Sequence, residues 1–430
     1  MESTQLDSED SPTKFAPIVK EVELRDHFNL IYIVFLFFGL SGLMPWNMFL
    51  NFSFDYYEMY KLRNGTESTW YSSNFQYAMT ISAQIPKLIF TFLNVFYSTK
   101  GDLTKRLIIC YSITALIIAF TLAFTYIDTV EYIAVFFFIT LASIVLLNSA
   151  NGIIQNSTYG MASPFPFKYT NAVIIGENSC GIFITLLAVI TKAVSSDIVM
   201  QATLYFTTAF IITATSVILC ALITKNNFYM RYGIVGDETR TDSEASDEAN
   251  GIDLIVVFSA CKFQFINIFL LFFVTLSLFP NVTMYVEDAQ DSFIPKEYFM
   301  DLATFLNFNV FAFLGSLSAN WVQWPGPDYI FVPVVARFWF LFYFPMCNYF
   351  PTRRRFPILF QSILGFVLSQ TILAFTSGYL SSLIMMYTSR LLDEPHCQRM
   401  AGMIAAFFLI LGILVGLGFS WIIHIIVVGG

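Results

Sequence analysis

Charge is scarce in this chain. Only 12% of its 430 residues are charged and 57% are hydrophobic, whereas a soluble globule carries about a quarter charged residues; a water-soluble domain is excluded. Histidine is scarcer still, and His27, His396 and His424 lie far apart, leaving no cluster to hold a metal. The cysteines Cys110, Cys180, Cys220, Cys261, Cys347 and Cys397 show no paired spacing, and all but Cys397 sit in or beside apolar segments. Neither a disulfide framework nor a zinc site is expected. Catalytic signatures are missing too: there is no HExxH, no Walker A loop and no Ser/His/Asp set on facing spans, so neither an enzyme nor a cofactor is expected. The net charge of −8 comes from loops and tails and gives no reason to expect a nucleic-acid partner. Residues 1–27 lack a basic start and a small-residue cleavage site, so the expectation is no cleavable leader and a short cytoplasmic tail over 1–28.

What the chain has is apolar length. Windows of about 20 apolar residues, enough to span a bilayer, fall near 30–50, 74–97, 107–127, 132–159, 172–193, 202–224, 256–280, 299–320, 330–350, 356–380 and 400–427. The expected fold is an all-α polytopic membrane protein with 11 transmembrane helices, its partner the lipid bilayer. An odd number puts the chain's two ends on opposite faces. With the N-terminus cytoplasmic, thirteen Lys and Arg fall inside and seven outside, the bias that sets orientation; Arg353 to Arg355 run against it. Asn64-Gly65-Thr66 then lies in the first outer loop, where glycosylation of Asn64 is expected, and the plasma membrane suits such a loop. Residues 225–253, with GDETRTDSEASDEANGID, are acidic and Ser-rich and read as a disordered cytoplasmic linker. It separates helices 1–6 (29–224) from helices 7–11 (254–430), a 6+5 two-bundle layout suited to alternating access.

Polar residues inside the spans carry the functional signal. Asn148, Asn151 and Gln155 recur at helical spacing with Tyr159 one turn on, so they share a face. An unpartnered amide in hydrocarbon costs several kcal/mol, which leaves two readings: glue between helices, or contact with a permeant. Among carboxylates only Glu177 lies clearly within a span; among cations, Lys87 and Arg337 do. Lys87 follows Gln84 and Pro86 halfway along the second span, too deep for its stem to reach the interface, and is expected to face a central cavity paired with Glu177. Arg337, a third of the way into its span, reads as an interface anchor. Gly412 and Gly416 have the spacing of a close helix contact. One buried carboxylate supplies no evident proton relay or sodium cage, so passive movement of a small solute is expected.

At SGLMPWNMF, residues 41–49, the chain resembles the first helix of the equilibrative nucleoside transporters, with their Gly-Leu-x-Pro-Trp-Asn pattern. The likeness continues in order through MTISAQIPKLIFTFLN, NSANGIIQNSTYGMA, GENSCG, Phe279-Pro280, FLNFNVFAFLG, WPGPD, ARFWF, CNYFPTRRR, SGYLSSL and AGMIAAFFLILG. It implies a major-facilitator-like fold with the N-terminus inside, the C-terminus outside and Arg353 to Arg355 outside. By position it also implies that Leu43, Trp46 and Asn47 line the cavity or its outer gate, that Gln155 hydrogen-bonds a nucleobase, and that Phe279, Phe305 and Asn309 line the cavity. The chain departs from the family where an Asp and, four residues on, an Arg usually handle the sugar: it has Ala312 and Ser316. Gln84 and Lys87 stand where the family is mostly apolar, Asn151 replaces a typical glycine and Glu177 a typical glutamine. The expected substrate-binding set is therefore Leu43, Trp46, Gln84, Lys87, Asn151, Gln155, Glu177, Phe279, Phe305 and Asn309. The function expected is facilitative, uncoupled transport of nucleosides or nucleobase-like solutes, the alternatives being another small polar or charged organic solute or a non-transporting sensor or receptor.

Overall fold

The computed structural model describes residues 26–65, 67–97, 102–232, 247–287 and 299–429. The tail 1–25, Thr66 of the Asn64 sequon and linker residues 233–246 lie outside the described residues. Helices run through almost all of what is described: α1 (Leu30–Phe52), α2 (Trp70–Tyr97), α3 (Leu103–Thr125), α4 (Ile133–Ala162), α5 (Phe167–Val194), α6 (Ile198–Ile223), α7 (Asp247–Leu278), α8 (Leu302–Ser318), α9 (Phe331–Met346), α10 (Ile363–Arg390) and α11 (Pro395–Val427). Among the described residues nine helices are long and apolar enough to cross a membrane, while α8 and α9 are apolar but shorter. The chain is a multi-pass membrane protein. The end of the bundle where α1 starts is called the near end below, and the other the far end.

Local chemistry sets several boundaries. Asp102, Asp197 and Ser362 each accept a backbone N–H at a helix start, from Thr104 at 2.8 Å, Val199 at 3.1 Å and Gly365 at 3.2 Å, caps worth about 1 kcal/mol apiece. The Ser362 cap corrects the expected tenth span: α10 begins at Ile363 and runs on to Arg390, not 356–380. The apolar residues before it belong instead to a loop fastened by Arg354, whose guanidinium donates to the carbonyls of Pro345, Cys347, Tyr349, Phe356 and Pro357. At the other side of the linker, residues 227–232 are helical and α7 is already formed at Asp247, inside the stretch read as linker.

The packing repeats. In the first half α1 lies on α5 and α2 on α4; in the second, α7 lies on α11 and α8 on α10, the same pairs advanced by six helices. Several pairs meet backbone to backbone. A methyl on Gly39 or Gly176 would overlap the carbonyls of Val173 or Leu36, and one on Gly315 or Gly378 those of Phe375 or Ala312. As their spacing implied, Gly412 and Gly416 bring α11 onto the Phe269 and Phe273 carbonyls of α7, which added methyls would approach to 2.6 and 2.7 Å.

The two halves meet through α5 against α8 and α10, and through α2 and α4 against α11. Polar contacts cross this seam at the near end. Asn156 of α4 donates to the Met403 carbonyl of α11 at 2.6 Å and accepts from Asn94 of α2 at 2.6 Å, whose own oxygen takes a bond from Arg106 at 3.1 Å. Asn171 of α5 donates to the Ser316 carbonyl at 3.0 Å and to Asn320 Oδ1 at 2.9 Å. The Arg390 guanidinium lies 4.2 Å from the Phe167 ring centre.

Candidate functional site

Glu177 is the centre of the polar group in the first half. It sits on α5, four residues before Gly181, and so on nearly the same helix face; a methyl at Gly181 would overlap Asn309 Oδ1 of α8. Glu177 therefore borders the seam, half-buried. Its carboxylate accepts from Gln155 Nε2 at 2.7 Å and from the Tyr159 hydroxyl at 2.6 Å, so one amide of the α4 stripe and the phenol one turn beyond it converge on it. Lys87 reaches the group from α2, whose backbone is pressed to α4 where Gly152 meets the Lys87 carbonyl. Lys87 is 4% exposed and lies in the electrostatic field of Glu177.

Lys87 and Glu177 act on each other electrostatically without touching. Among the described residues the Lys87 side chain makes no hydrogen bond and no ion pair within 4 Å, and the carboxylate is occupied by the neutral donors Gln155 and Tyr159. Such an arrangement keeps both charges partnered at a distance without locking the ammonium in place, which a tight buried pair would do.

The remaining candidates divide into two groups. Gln84 is buried on α2 beside this cluster, and Asn151 spends its N–H on the Gly42 carbonyl of α1 at 2.7 Å while its Oδ1 has no partner. Asn148 instead bonds within its own helix, to Ile144 O at 3.0 Å. Leu43 and Trp46 are half-buried against the far-end core of the first half, and Asn47 donates to the Leu43 carbonyl at 3.1 Å. Across the seam an aromatic group forms at the far end of the second half: Phe279 meets Phe305 edge-on at 5.8 Å and stacks on Phe308 at 3.7 Å, with planes 6° apart. Asn309 lies one turn beyond Phe305. Gln155 and Lys87 are thus buried, and the more open rim is made by Glu177, Phe279, Phe305 and Asn309.

Ala312 and Ser316 are 3% and 0% exposed, and their backbone is pressed against α10 at Gly378. Arg337 corrects another expectation. It is 2% exposed, not at an interface, and its guanidinium joins three helices by donating to Thr275 Oγ1 of α7 at 2.6 Å, to Leu373 O of α10 at 2.9 Å and to Thr376 Oγ1. A cavity of about 10 Å³ lined by Tyr56, Tyr57, Thr121, Thr140 and Ser143 is room for one water and no larger solute.

Sequence reasoning missed Phe308, Gly181, Asn94, Asn156 and Asn171. Asn156 had a signal, since it adjoins Gln155 and points to the neighbouring face of α4; Gly181 had none, because only a neighbouring helix makes its missing Cβ matter.

A model of the nucleoside transporter family matches residues 141–425. The chain is 28% identical to human "Equilibrative nucleoside transporter 1" over 94% of its own length and 98% of that protein, and 28% identical to human "Equilibrative nucleoside transporter 2" over 93% and 97%. It is 23% identical to "Equilibrative nucleotide transporter 1" of Arabidopsis thaliana over 97% and 90%. Among solved structures, the major facilitator superfamily proton:xylose symporter XylE, bound to 6-bromo-6-deoxy-D-glucose, superposes with a TM-score of 0.63 at 12% identity, covering 93% of this chain and 90% of that one.

Proposed function

Because the chain belongs to the equilibrative nucleoside transporter family, we propose that it carries nucleosides across its membrane down their concentration gradient, by rocking helices α1–α6 against α7–α11. The observation that carries this reading is the Glu177 group: hydrogen-bonding side chains set deep among apolar helices, at the border between two halves that repeat one packing scheme. An amide oxygen and an ammonium suit the edge of a base, and the rings of Phe279 and Phe305 suit its face. In this reading α8 and α9 count as spans, giving eleven, the near end is cytoplasmic, the far end is extracellular, and Asn64, exposed at the far end, is glycosylated at the cell surface.

The test is uptake of labelled uridine and adenosine by the purified protein in liposomes. Uptake that levels off at equal concentrations inside and out, unchanged by Na⁺ or pH gradients, supports the proposal. A folded protein that moves no nucleoside overturns it, and uphill accumulation on an ion gradient overturns its uncoupled form. The sealed Ala312 and Ser316 favour a second reading, a different small polar permeant, which selective uptake of such a solute would establish.

A further inference from the structure

The α8–α9 loop, residues 319–330, has two faces. Its inner face belongs to the seam: Asn320 Oδ1 accepts from Asn171 of α5 at 2.9 Å, and Gln323 Oε1 accepts at 3.0 Å from Arg390, whose guanidinium lies on the Phe167 ring. Its outer face is aromatic. Trp321, Trp324 and Tyr329 are 74%, 76% and 69% exposed, and Asp328 is the one charged residue of the loop. The exposure is imposed, because the backbone that carries these rings is tied down from within the second half. Tyr379 donates to the Trp324 carbonyl at 2.5 Å, Tyr387 to that of Pro325 at 2.9 Å and Gln264 to that of Pro327 at 3.0 Å. Two indoles held outward on a braced loop call for an occupant that takes flat apolar rings and still meets an indole N–H.

The flanking helices identify it. At about 1.5 Å per residue, α8 and α9, the two short apolar helices, reach about 25 Å against about 30 Å of hydrocarbon. With their far ends at one boundary, the loop joining their near ends sits no further out than the opposite headgroup layer, where Trp and Tyr concentrate. A soluble partner would need the loop to stand clear of that layer. We propose that the outer face of this loop docks on the phospholipid headgroup layer of the near leaflet, and that the bilayer thereby steadies the contacts of Asn320 and Gln323 that hold the near end shut. The inference rests on counting α8 and α9 as spans, as above.

The experiment uses the full chain freed of native cysteines, in phosphatidylcholine liposomes. Bimane on Trp324→Cys should be quenched most by a lipid with a nitroxide on its headgroup, less by one with the nitroxide deep in the acyl chain, and hardly by iodide present on both sides. Tyr329→Cys gives the same reading should Trp324→Cys fail to fold. Strong quenching by iodide with none from either lipid overturns the inference. The second arm is Ser163→Cys, buried beneath α11. With Trp321→Ser and Trp324→Ser added, its labelling by maleimide from the near side should speed up about 2- to 5-fold, the worth of a cation over a ring at an exposed site such as Arg390 on Phe167. An unchanged rate overturns the hold of the bilayer on the seam. Neither arm uses a permeant, so a failure of nucleoside uptake is a separate result that overturns only the nucleoside reading.

Discussion

Replacing Asn156 with alanine should loosen the near end of the seam by an amount the structure lets us work out. Asn156 makes two short bonds, but only the one to the Met403 carbonyl joins the halves; the one from Asn94 stays within the first half and survives any rocking motion. The side chain is wholly buried, so water does not compete with the Met403 bond while the halves are closed. Side-chain hydrogen bonds between membrane helices average about 0.6 kcal/mol and reach about 1.7, a shift of roughly 3- to 20-fold toward the state in which the near end is open. Ser163 reports that state, because it is buried beneath α11, where a methyl on Gly402 would overlap its hydroxyl. In a background freed of the native cysteines, Ser163→Cys should react with a membrane-impermeant maleimide from the near side, and Asn156→Ala should speed this reaction by that factor. Asn148→Ala is the control, since the Asn148 side-chain N–H bonds only within its own helix. Equal labelling rates for Asn156→Ala and its parent would refute the reasoning.

Three further outcomes are expected. Gly39→Val forces a side chain into the Val173 carbonyl, and overpacking of about 1–3 kcal/mol or more should appear as loss of monodisperse protein in size-exclusion chromatography. Arg337→Met removes the donor shared by α7, α9 and α10 and leaves the Leu373 carbonyl and two hydroxyls without it; a thermal-unfolding assay in detergent should show a loss of about 2–4 kcal/mol, within the range for broken buried networks. Arg354→Ala frees the carbonyls gathered at the α9–α10 loop, and should lower thermal stability while making that loop the first site of limited proteolysis.

Much of the fold was legible because hydrophobic length is a coarse and robust signal: the windows found in the chain correspond to helices in order, and Gly412 and Gly416 announced a close helix contact, whose partner α7 only the packing reveals. Boundaries were harder. The run Phe356 to Phe360 is as apolar as a span, and only the Arg354 guanidinium and the Ser362 cap, one tertiary and one local, make it a loop. Gln155 and Glu177 were visible as polar residues in apolar surroundings, yet their bond was not, since it depends on the rotation of α4 about its axis relative to α5. Arg337 was misjudged because position along a span says nothing of the carbonyls and hydroxyls that neighbouring helices offer. The repeat of helix pairs was invisible in the residues because packing partners repeat while side chains do not.

That repeat constrains how the seam can part. Asn171 on the α5–α8 flank and Asn156 on the α4–α11 flank are two latches on opposite sides of one near-symmetric joint, and each half behind them is braced by backbone contacts that forbid its helices from sliding. Neither latch can swing clear alone without bending a braced half, so they should let go in a single step. A near end that unfastens on both flanks at once should pass straight from shut to open, with no half-open stage between.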